Sequence, residues 1–274
     1  MTVAATVRLP RMDTDLYGSY ADFEADALAR VRRRAFDEDF GQNSWTSAEE
    51  YRRWATWLAL VPESHVLEIA SGSGGPALRL AELTGARVTG VDIEAHAVAT
   101  ANARAQARGL AERVSFRAAD AGSALPYHDA SFDALVCVDA ANHLPDRAAV
   151  LREWRRVLKP GAKAVWTDPV VVTGAVSNAE LAARSSIGYF LFVAPGVNET
   201  LLQRTGFRLD RVEDATLAVE QVAGRWHAAR QDEREALEKL EGATQYEALQ
   251  RFFDAVHRLA AERRLSRFVY YCTT

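Results

Sequence analysis

The chain has 274 residues, and its 33 Lys and Arg against 37 Asp and Glu give a formal net charge of −4. Its hydrophobic fraction of 49% excludes a disordered chain, and its charged fraction of 26% is typical of a globular protein. No apolar run reaches the roughly 18 residues that a transmembrane helix needs, and the N-terminus lacks a secretory signal pattern. We therefore expect no membrane association. The mild acidity argues against nucleic acid as a partner.

The cysteines and histidines of the sequence bear on two kinds of site, disulfides and metal sites. Cys137 and Cys272 are the only cysteines, which excludes a disulfide scaffold and fits a reducing, cytoplasmic setting. Both lie in apolar runs, so we expect them to be buried core residues. The six histidines show no paired spacing of the kind that metal ligands have, so we expect no metal site.

The pattern of apolar residues within 13–60 predicts helices. Phe23 and Val31 belong to an apolar set at helical spacing, and a second helical run begins at Ser47. Glu50 stands three residues after that serine, which is the spacing of a capping box.

From residue 65 onward, short apolar runs alternate with helical stretches. Predicted strands are 65–70, 86–93, 113–120, 132–140 and 162–172; predicted helices are 75–83, 95–109 and 147–159. This alternation indicates a parallel sheet that helices cover on both faces. The later chain is less regular. It predicts an apolar segment, a helix and a strand within 188–212, helices at 216–241 and 244–265, and a last strand at 267–272.

The most informative stretch is V-L-E-I-A-S-G-S-G-G-P, where a predicted strand ends in a turn of small residues. Such a turn lets a ligand touch the backbone, and it lies at the carboxyl end of a strand, where open α/β sheets bind ligands. Gly72-x-Gly74-x-x-Ala77 matches a dinucleotide fingerprint, and Asp92 lies twenty residues beyond Gly72, as a ribose-binding acid should. These residues alone leave NAD and S-adenosylmethionine both open.

Further motifs follow in order between residues 66 and 172: V-T-G-V-D-I-E, F-R-A-A-D-A-G and V-L-K-P-G-A. With them the chain resembles the Rossmann-like S-adenosylmethionine-dependent methyltransferases. The resemblance implies that Asp92 accepts the ribose hydroxyls, that Asp120 accepts the adenine amino group, and that the Ala121 N–H faces the ring. It also implies that Ile93 packs on adenine and that Glu68 orders the glycine loop. Ala70 stands where the family usually has glycine, and a methyl group there still permits a backbone contact.

Two segments are similar to a narrower group, the phosphobase methyltransferases. F-G-Q-N-S-W-T-S (40–47) resembles a lid, which implies that Gln42, Trp45 and Thr46 cover the methionine portion of the cofactor. C-V-D-A-A-N-H-L (137–144) implies that the Asp139 backbone lies near the cofactor amino group and that His143 lies at the methyl-transfer site. The tyrosine that partners this histidine in that group is replaced by Leu28. Tyr17 and Tyr20 lie further upstream.

Each of these residues also has a simpler interpretation. Asp92 could be only a helix N-cap, Asp120 an exposed loop acid, and Ile93 a packed strand residue. His143 is a candidate general base because imidazole titrates near neutral pH, and it could equally be a histidine that starts a helix. Four aromatic residues could cover an acceptor pocket or belong to the core, namely Tyr189, Phe190, Phe192 and Trp226.

We therefore predict an α/β fold: a Rossmann-like, mostly parallel seven-stranded sheet with helices on both faces. An N-terminal helical lid (1–60) precedes the cofactor-binding core (65–172), and C-terminal helical additions (173–274) shape the substrate pocket within a single domain. The predicted function is S-adenosylmethionine-dependent methylation of a small molecule on N, O or C, with S-adenosylhomocysteine as product. The alternatives are an NAD-dependent oxidoreductase and a non-catalytic cofactor-binding partner protein.

Overall fold

A computed structural model describes residues 22–274 of the chain. These residues form ten α-helices and seven strands. The helices are α1 (Asp26–Ala35), α2 (Ala48–Leu58), α3 (Gly75–Thr84), α4 (Ala95–Ala107), α5 (Arg147–Val157), α6 (Asn178–Arg184), α7 (Val197–Arg204), α8 (Thr216–Asp232), α9 (Arg234–Glu241) and α10 (Ala243–Ala261). The strands are β1 (His65–Ile69), β2 (Arg87–Asp92), β3 (Val114–Ala118), β4 (Phe132–Cys137), β5 (Leu158–Val172), β6 (Arg208–Asp214) and β7 (Leu265–Thr273).

All seven strands belong to one sheet, in the order β3-β2-β1-β4-β5-β7-β6. Strands β1 to β5 pair in parallel, and β7 is antiparallel to both of its neighbours, β5 and β6. This confirms the predicted mostly parallel, Rossmann-like α/β fold. The chain reverses its direction across the sheet between β1 and β4, so the loops that follow these two strands open a crevice at the carboxyl edge.

Apolar clusters hold the layers together. One face of the sheet packs against α2, α3 and α4, where Tyr51, Trp54 and Leu78 are almost fully buried. The opposite face packs against α5 and α7, with Trp154 and Leu202 buried there. The strands read as continuous apolar runs because both faces are covered.

A third apolar cluster lies outside the sheet and is built by helices from the two ends of the chain. It joins α1 to α8 and α10 through Val31, Trp226 and Val256. The N-terminal helix therefore packs on the C-terminal additions, which places the segment between α1 and α2 over the carboxyl edge of the sheet. No helix in residues 22–274 is long and apolar enough to cross a bilayer.

Two helix predictions for the later part of the chain were wrong. The helix predicted at 216–241 is broken at Glu233, which ends α8 and precedes α9. Its carboxylate there accepts two hydrogen bonds from Arg30 of α1. The apolar segment at 188–193, for which the sequence predicted neither helix nor strand, forms one isolated bridge, between Val193 and Val171. The helix predicted to reach residue 265 ends at Ala261, because β7 begins at Leu265.

Candidate active site

The loop after β1 is shaped by left-handed backbone conformations. Ala70, Gly72 and Gly74 have φ values of +53°, +51° and +79°. The Gly74 N–H closes the turn by donating to the Ser71 carbonyl at 2.9 Å, and the Ser71 N–H joins the loop to β2 by donating to the Val91 carbonyl at 3.0 Å. Gly90 lies beneath this loop, where a Cβ would approach the Ser71 hydroxyl to 2.6 Å, so only glycine allows the close approach. The loop is thus a narrow backbone cradle at the start of α3.

Asp92 ties this cradle to the end of β2. Its carboxylate accepts the Gly72 N–H at 2.7 Å and the Glu94 N–H at 2.9 Å. The side chain is buried, and burial raises the pKa of the Asp92 carboxyl. A carboxylate offers about four acceptor positions, so two remain for a ligand's hydroxyl groups.

Glu68 lies in β1 beneath the same loop and lines the narrow cleft there. Its Oε1 accepts a long hydrogen bond of 3.5 Å from the Tyr51 hydroxyl, whereas the buried Oε2 has no partner among the described residues. Burial raises the pKa of Glu68 to about 8. A buried carboxyl oxygen with an unmet hydrogen bond is available to a polar ligand group.

The loops that follow β2 and β3 lie at the same carboxyl edge of the sheet, beyond the residues that line the narrow cleft. Ile93, directly after β2, is 62% exposed although it is a large apolar residue. Asp120 is exposed; its carboxylate accepts the Gly122 N–H at 2.8 Å and the Ser123 hydroxyl at 2.8 Å. Ala121 is buried. An exposed apolar side chain after one strand and a carboxylate after the next strand are the kinds of group that contact a flat heterocycle with an amino group.

The segment between α1 and α2 forms the near wall of the cleft, but with residues other than those expected. The Gln42 amide is fully buried in its own turn, accepting the Phe40 N–H and donating to the Glu38 carbonyl. Gly41, Asn43 and Ser44 line the cleft instead. Nothing in the sequence distinguished these three residues from Gln42, because the direction of each side chain depends on the tertiary fold.

Arg267 of β7 is the centre of a buried charge network. Its guanidinium donates to Asp139 at 2.7 Å, to Glu50 at 2.6 Å and to the Thr46 hydroxyl at 2.6 Å. The Arg267 side chain is fully buried, and both carboxylates are 4% exposed. The second Asp139 oxygen accepts the Trp45 N–H at 2.9 Å. The network therefore joins the N-terminal segment to the carboxyl edge of the sheet.

Three residues that the phosphobase resemblance assigned to the cofactor have partners within the protein. The Thr46 hydroxyl is held by Arg267. The Asp139 N–H donates to the Thr167 hydroxyl at 2.7 Å, and its side chain serves the network. Trp45 packs against Phe252 and Phe253 rather than lining the cleft.

A second, larger cavity of about 160 Å³ lies between the N-terminal segment and the C-terminal helices. Its wall is mostly apolar and includes Leu28, Trp45, Phe190, Trp226 and Phe252. Of the four candidate pocket aromatics, Phe190 and Trp226 line it; Phe192 stacks behind Phe190, and Tyr189 contributes its carbonyl to His143. Asn43 and Ser44 line both this cavity and the cleft, so the two spaces are adjacent.

His143 lies in the wall of the larger cavity, in a 3₁₀ turn after β4. Its Nδ1 lies 2.7 Å from the Tyr189 carbonyl, so Nδ1 carries the hydrogen and Nε2 keeps its lone pair. Burial lowers the pKa of His143 to about 4, although we expected titration near neutral pH from the sequence. The imidazole is therefore neutral and a proton acceptor at pH 7. Tyr17 and Tyr20 lie outside the described residues.

Both cysteines are buried, as predicted. Within residues 22–274 there is no group of three or more His, Cys, Asp or Glu side chains placed to hold a metal ion.

Comparison with known proteins agrees with this geometry. Residues 67–166 match a family model described as a methyltransferase domain. The chain is 32% identical over 205 residues to 27-O-demethylrifamycin SV methyltransferase of Amycolatopsis mediterranei, covering 74% of this chain and 70% of that protein. The chain belongs to the S-adenosylmethionine-dependent methyltransferases. An O-methyltransferase of Aspergillus sclerotiorum is 31% identical over 208 residues, covering 71% of this methyltransferase and 75% of its relative.

Solved structures show the same fold. The cyclopropane synthase MmaA2 of Mycobacterium tuberculosis has a TM-score of 0.80 at 15% identity, covering 95% of this methyltransferase and all of that chain. Haemonchus contortus phosphoethanolamine N-methyltransferase 2, in complex with phosphomonomethylethanolamine and S-adenosylhomocysteine, has a TM-score of 0.75 at 21% identity; the match covers 94% of this chain and 60% of the other.

The residues present fit S-adenosylmethionine, the cofactor of the family. The glycine cradle leaves backbone accessible, Glu68 lines the cleft and has an unpartnered Oε2, and Asp92 retains acceptor positions. A small-molecule acceptor needs space next to the cofactor, and an apolar cavity adjoins the cleft. An oxidoreductase or a non-catalytic binding protein is therefore not favoured.

Replacing Arg267 tests the buried network. We expect Arg267→Met to lower the free energy of unfolding by about 3–5 kcal/mol, because it leaves two buried carboxylates without their cation. The matched control is Arg208→Met, which removes an exposed ion pair with Asp210 and should cost at most about 1 kcal/mol. Urea unfolding at pH 7.5 measures both. Equal losses in the two variants would show that the network contributes no special stability.

Proposed function

We propose that this methyltransferase methylates a hydroxyl oxygen of a small molecule bound in the larger cavity. The observation that carries the proposal is the position of His143, whose neutral imidazole lines that cavity while Asn43 and Ser44 join it to the cofactor cleft. Two relatives that each align with more than two thirds of this chain are named as an O-methyltransferase and as the methyltransferase of a 27-O-demethyl compound. These names support oxygen as the methylated atom.

When bound, S-adenosylmethionine supplies an electrophilic methyl group. We assign its contacts to Glu68, Ala70 and Gly72 beneath the loop, and to Asp92, Ile93, Asp120 and Ala121 at the nucleoside end. Gln42, Thr46 and Asp139 hold the wall of the cleft in place rather than contacting the cofactor. Trp45 belongs to the acceptor cavity. The apolar wall excludes water and aligns the acceptor, an effect worth roughly 7–11 kcal/mol in well-oriented reactions.

His143 receives the acceptor's proton at Nε2. A hydroxyl oxygen becomes strongly acidic as its new bond to carbon forms, so a base with a pKa of about 4 suffices to accept the proton at that stage. The Tyr189 carbonyl fixes the imidazole in the tautomer that this step needs.

The cellular location, the class of substrate and the biosynthetic role are proposed from composition and from the names of the relatives. Two reduced, buried cysteines support a cytoplasmic location, and the negative net charge supports a metabolite rather than nucleic acid as substrate. The named relatives support a role in biosynthesis.

Identification of the product tests the proposed function. The protein is incubated with a metabolite extract and S-adenosylmethionine that carries a deuterated methyl group, and the labelled product is characterised by mass spectrometry and NMR. We expect the label on an ether oxygen. Label on nitrogen or carbon would contradict O-methylation without contradicting methyl transfer.

Asp92→Ala tests the cofactor site. We expect S-adenosylhomocysteine to bind at least about tenfold more weakly, because hydrogen bonds to a charged group contribute about 1.5–3 kcal/mol. Asp120→Ala should cost less, since Asp120 is exposed and serves one contact. Calorimetry on both folded variants gives the comparison. Unchanged affinity in Asp92→Ala would remove Asp92 from the site.

His143→Ala tests the base. We expect turnover to fall by roughly 10²–10⁴, with cofactor affinity nearly unchanged. A base acts in its deprotonated form, so wild-type turnover should be flat from pH 6 to 8 and should fall only as the pH approaches about 4. Steady-state rates of wild type and His143→Ala, measured from about pH 4 to pH 8, test both expectations. A variant with wild-type turnover would reduce His143 to a structural residue.

A further inference from the structure

Arg184 is the one cation in the wall of the larger cavity, within residues 22–274, that has no acidic partner. It ends α6 and is 2% exposed. Its Nη1 is buried without any hydrogen bond. The contacts of its guanidinium are the faces of two rings, Phe190 at 4.6 Å and Phe252 at 5.2 Å from the ring centroids.

The other charges of the cavity wall are compensated. Arg230 pairs with Glu241, and Arg32 pairs with Asp39 at 3.3 Å. Asp139 is held by Arg267. Asp139 and Asp168 interact with Arg184 only through longer-range electrostatic attraction, not through an ion pair. Asp168 lies behind the cavity wall and is paired with Arg147 at 2.7 Å.

An unpaired buried charge is unfavourable, since the effective cost of burying an ion is several kcal/mol. Burial lowers the pKa of Arg184 to about 10, which still leaves it protonated at neutral pH. A guanidinium in this state offers planar, forked donors that match the two oxygens of a carboxylate.

The surrounding structure holds Arg184 in place. The capping box of Ser177 and Glu180 starts α6, and Glu180 pairs with Arg258 at 2.6 Å and with Arg264 at 2.7 Å. His143 also contacts Phe190, with 4.6 Å between the ring centroids. Arg184 and the proposed base therefore share one aromatic neighbour, so a group bound at Arg184 lies close to the reacting end of the acceptor.

We propose that Arg184 selects acceptors that carry a carboxylate on an apolar body. A single unpaired cation matches a single negative charge, whereas a phosphate monoester would bring a second charge that this wall leaves uncompensated. The carboxylate orients the acceptor, and the apolar wall holds its body. This inference deepens the proposed function, because it names the class of acceptor that the same cavity takes.

The test compares three fluorinated probes of one shape by fluorine NMR titration of the protein saturated with S-adenosylhomocysteine. They are 4-fluorobenzoate, neutral 4-fluorobenzamide and 4-fluorophenyl phosphate. We expect wild type to bind the benzoate about tenfold or more tightly than the amide, and more tightly than the phosphate. Equal binding of benzoate and amide, or absence of benzoate binding, overturns the proposal. Tighter binding of the phosphate overturns the choice of a singly charged group.

The variants are Arg184→Met, the conservative Arg184→Lys, and Arg33→Met as an exposed control on α1. Arg184→Met should lose the preference for benzoate, Arg184→Lys should keep part of it, and Arg33→Met should keep all of it. Arg184→Met should also unfold at the same or a higher temperature without ligand, because it removes an unpaired buried charge. A preference that survives in Arg184→Met, or a lowered unfolding temperature, contradicts the proposal. Failure of wild type to bind S-adenosylhomocysteine would instead contradict the cofactor site.

Discussion

The buried position of Arg267 between Asp139 and Glu50 is the constraint on which the active site depends. One guanidinium on the last strand bonds to an acid after β4, an acid in α2 and a hydroxyl of the segment before α2. That segment is thereby fixed above the carboxyl edge of the sheet, with Asn43 and Ser44 in the walls of both the cleft and the cavity. This anchor therefore positions the wall that the cleft and the cavity share.

The two sites differ in how they are built. The cofactor cleft is made from backbone, because a turn of small residues places N–H groups and carbonyls beside the ligand and Asp92 fastens that turn to β2. The larger cavity, which we propose as the acceptor site, is made from side chains, most of them apolar, that come from both ends of the chain. Among these side chains, Arg184 carries the unpaired charge.

Much of the fold was predictable from the sequence, because the apolar runs of β1 to β5 and the helices between them follow regular periods. The glycine cradle and Asp92 could also be predicted, since both lie in one continuous β-α-β unit, with Asp92 twenty residues beyond Gly72. The Arg267 network could not be predicted, because Arg267 lies 128 to 221 residues from its partners along the chain. The direction of the Gln42 side chain and the unsatisfied Nη1 of Arg184 also depend on tertiary packing, so the sequence does not predict them.

A crystal structure of the protein with S-adenosylhomocysteine tests the central claim most directly. We expect the nucleoside between Ile93 and the loop at 70–74, and the sulfur facing the cavity where His143 lies, with the Arg267 bonds to Asp139 and Glu50 intact. A cofactor bound elsewhere would contradict the assignment of the cleft. A sulfur directed away from His143, or a broken network with the segment 41–46 displaced, would contradict the proposal that Arg267 joins the two sites.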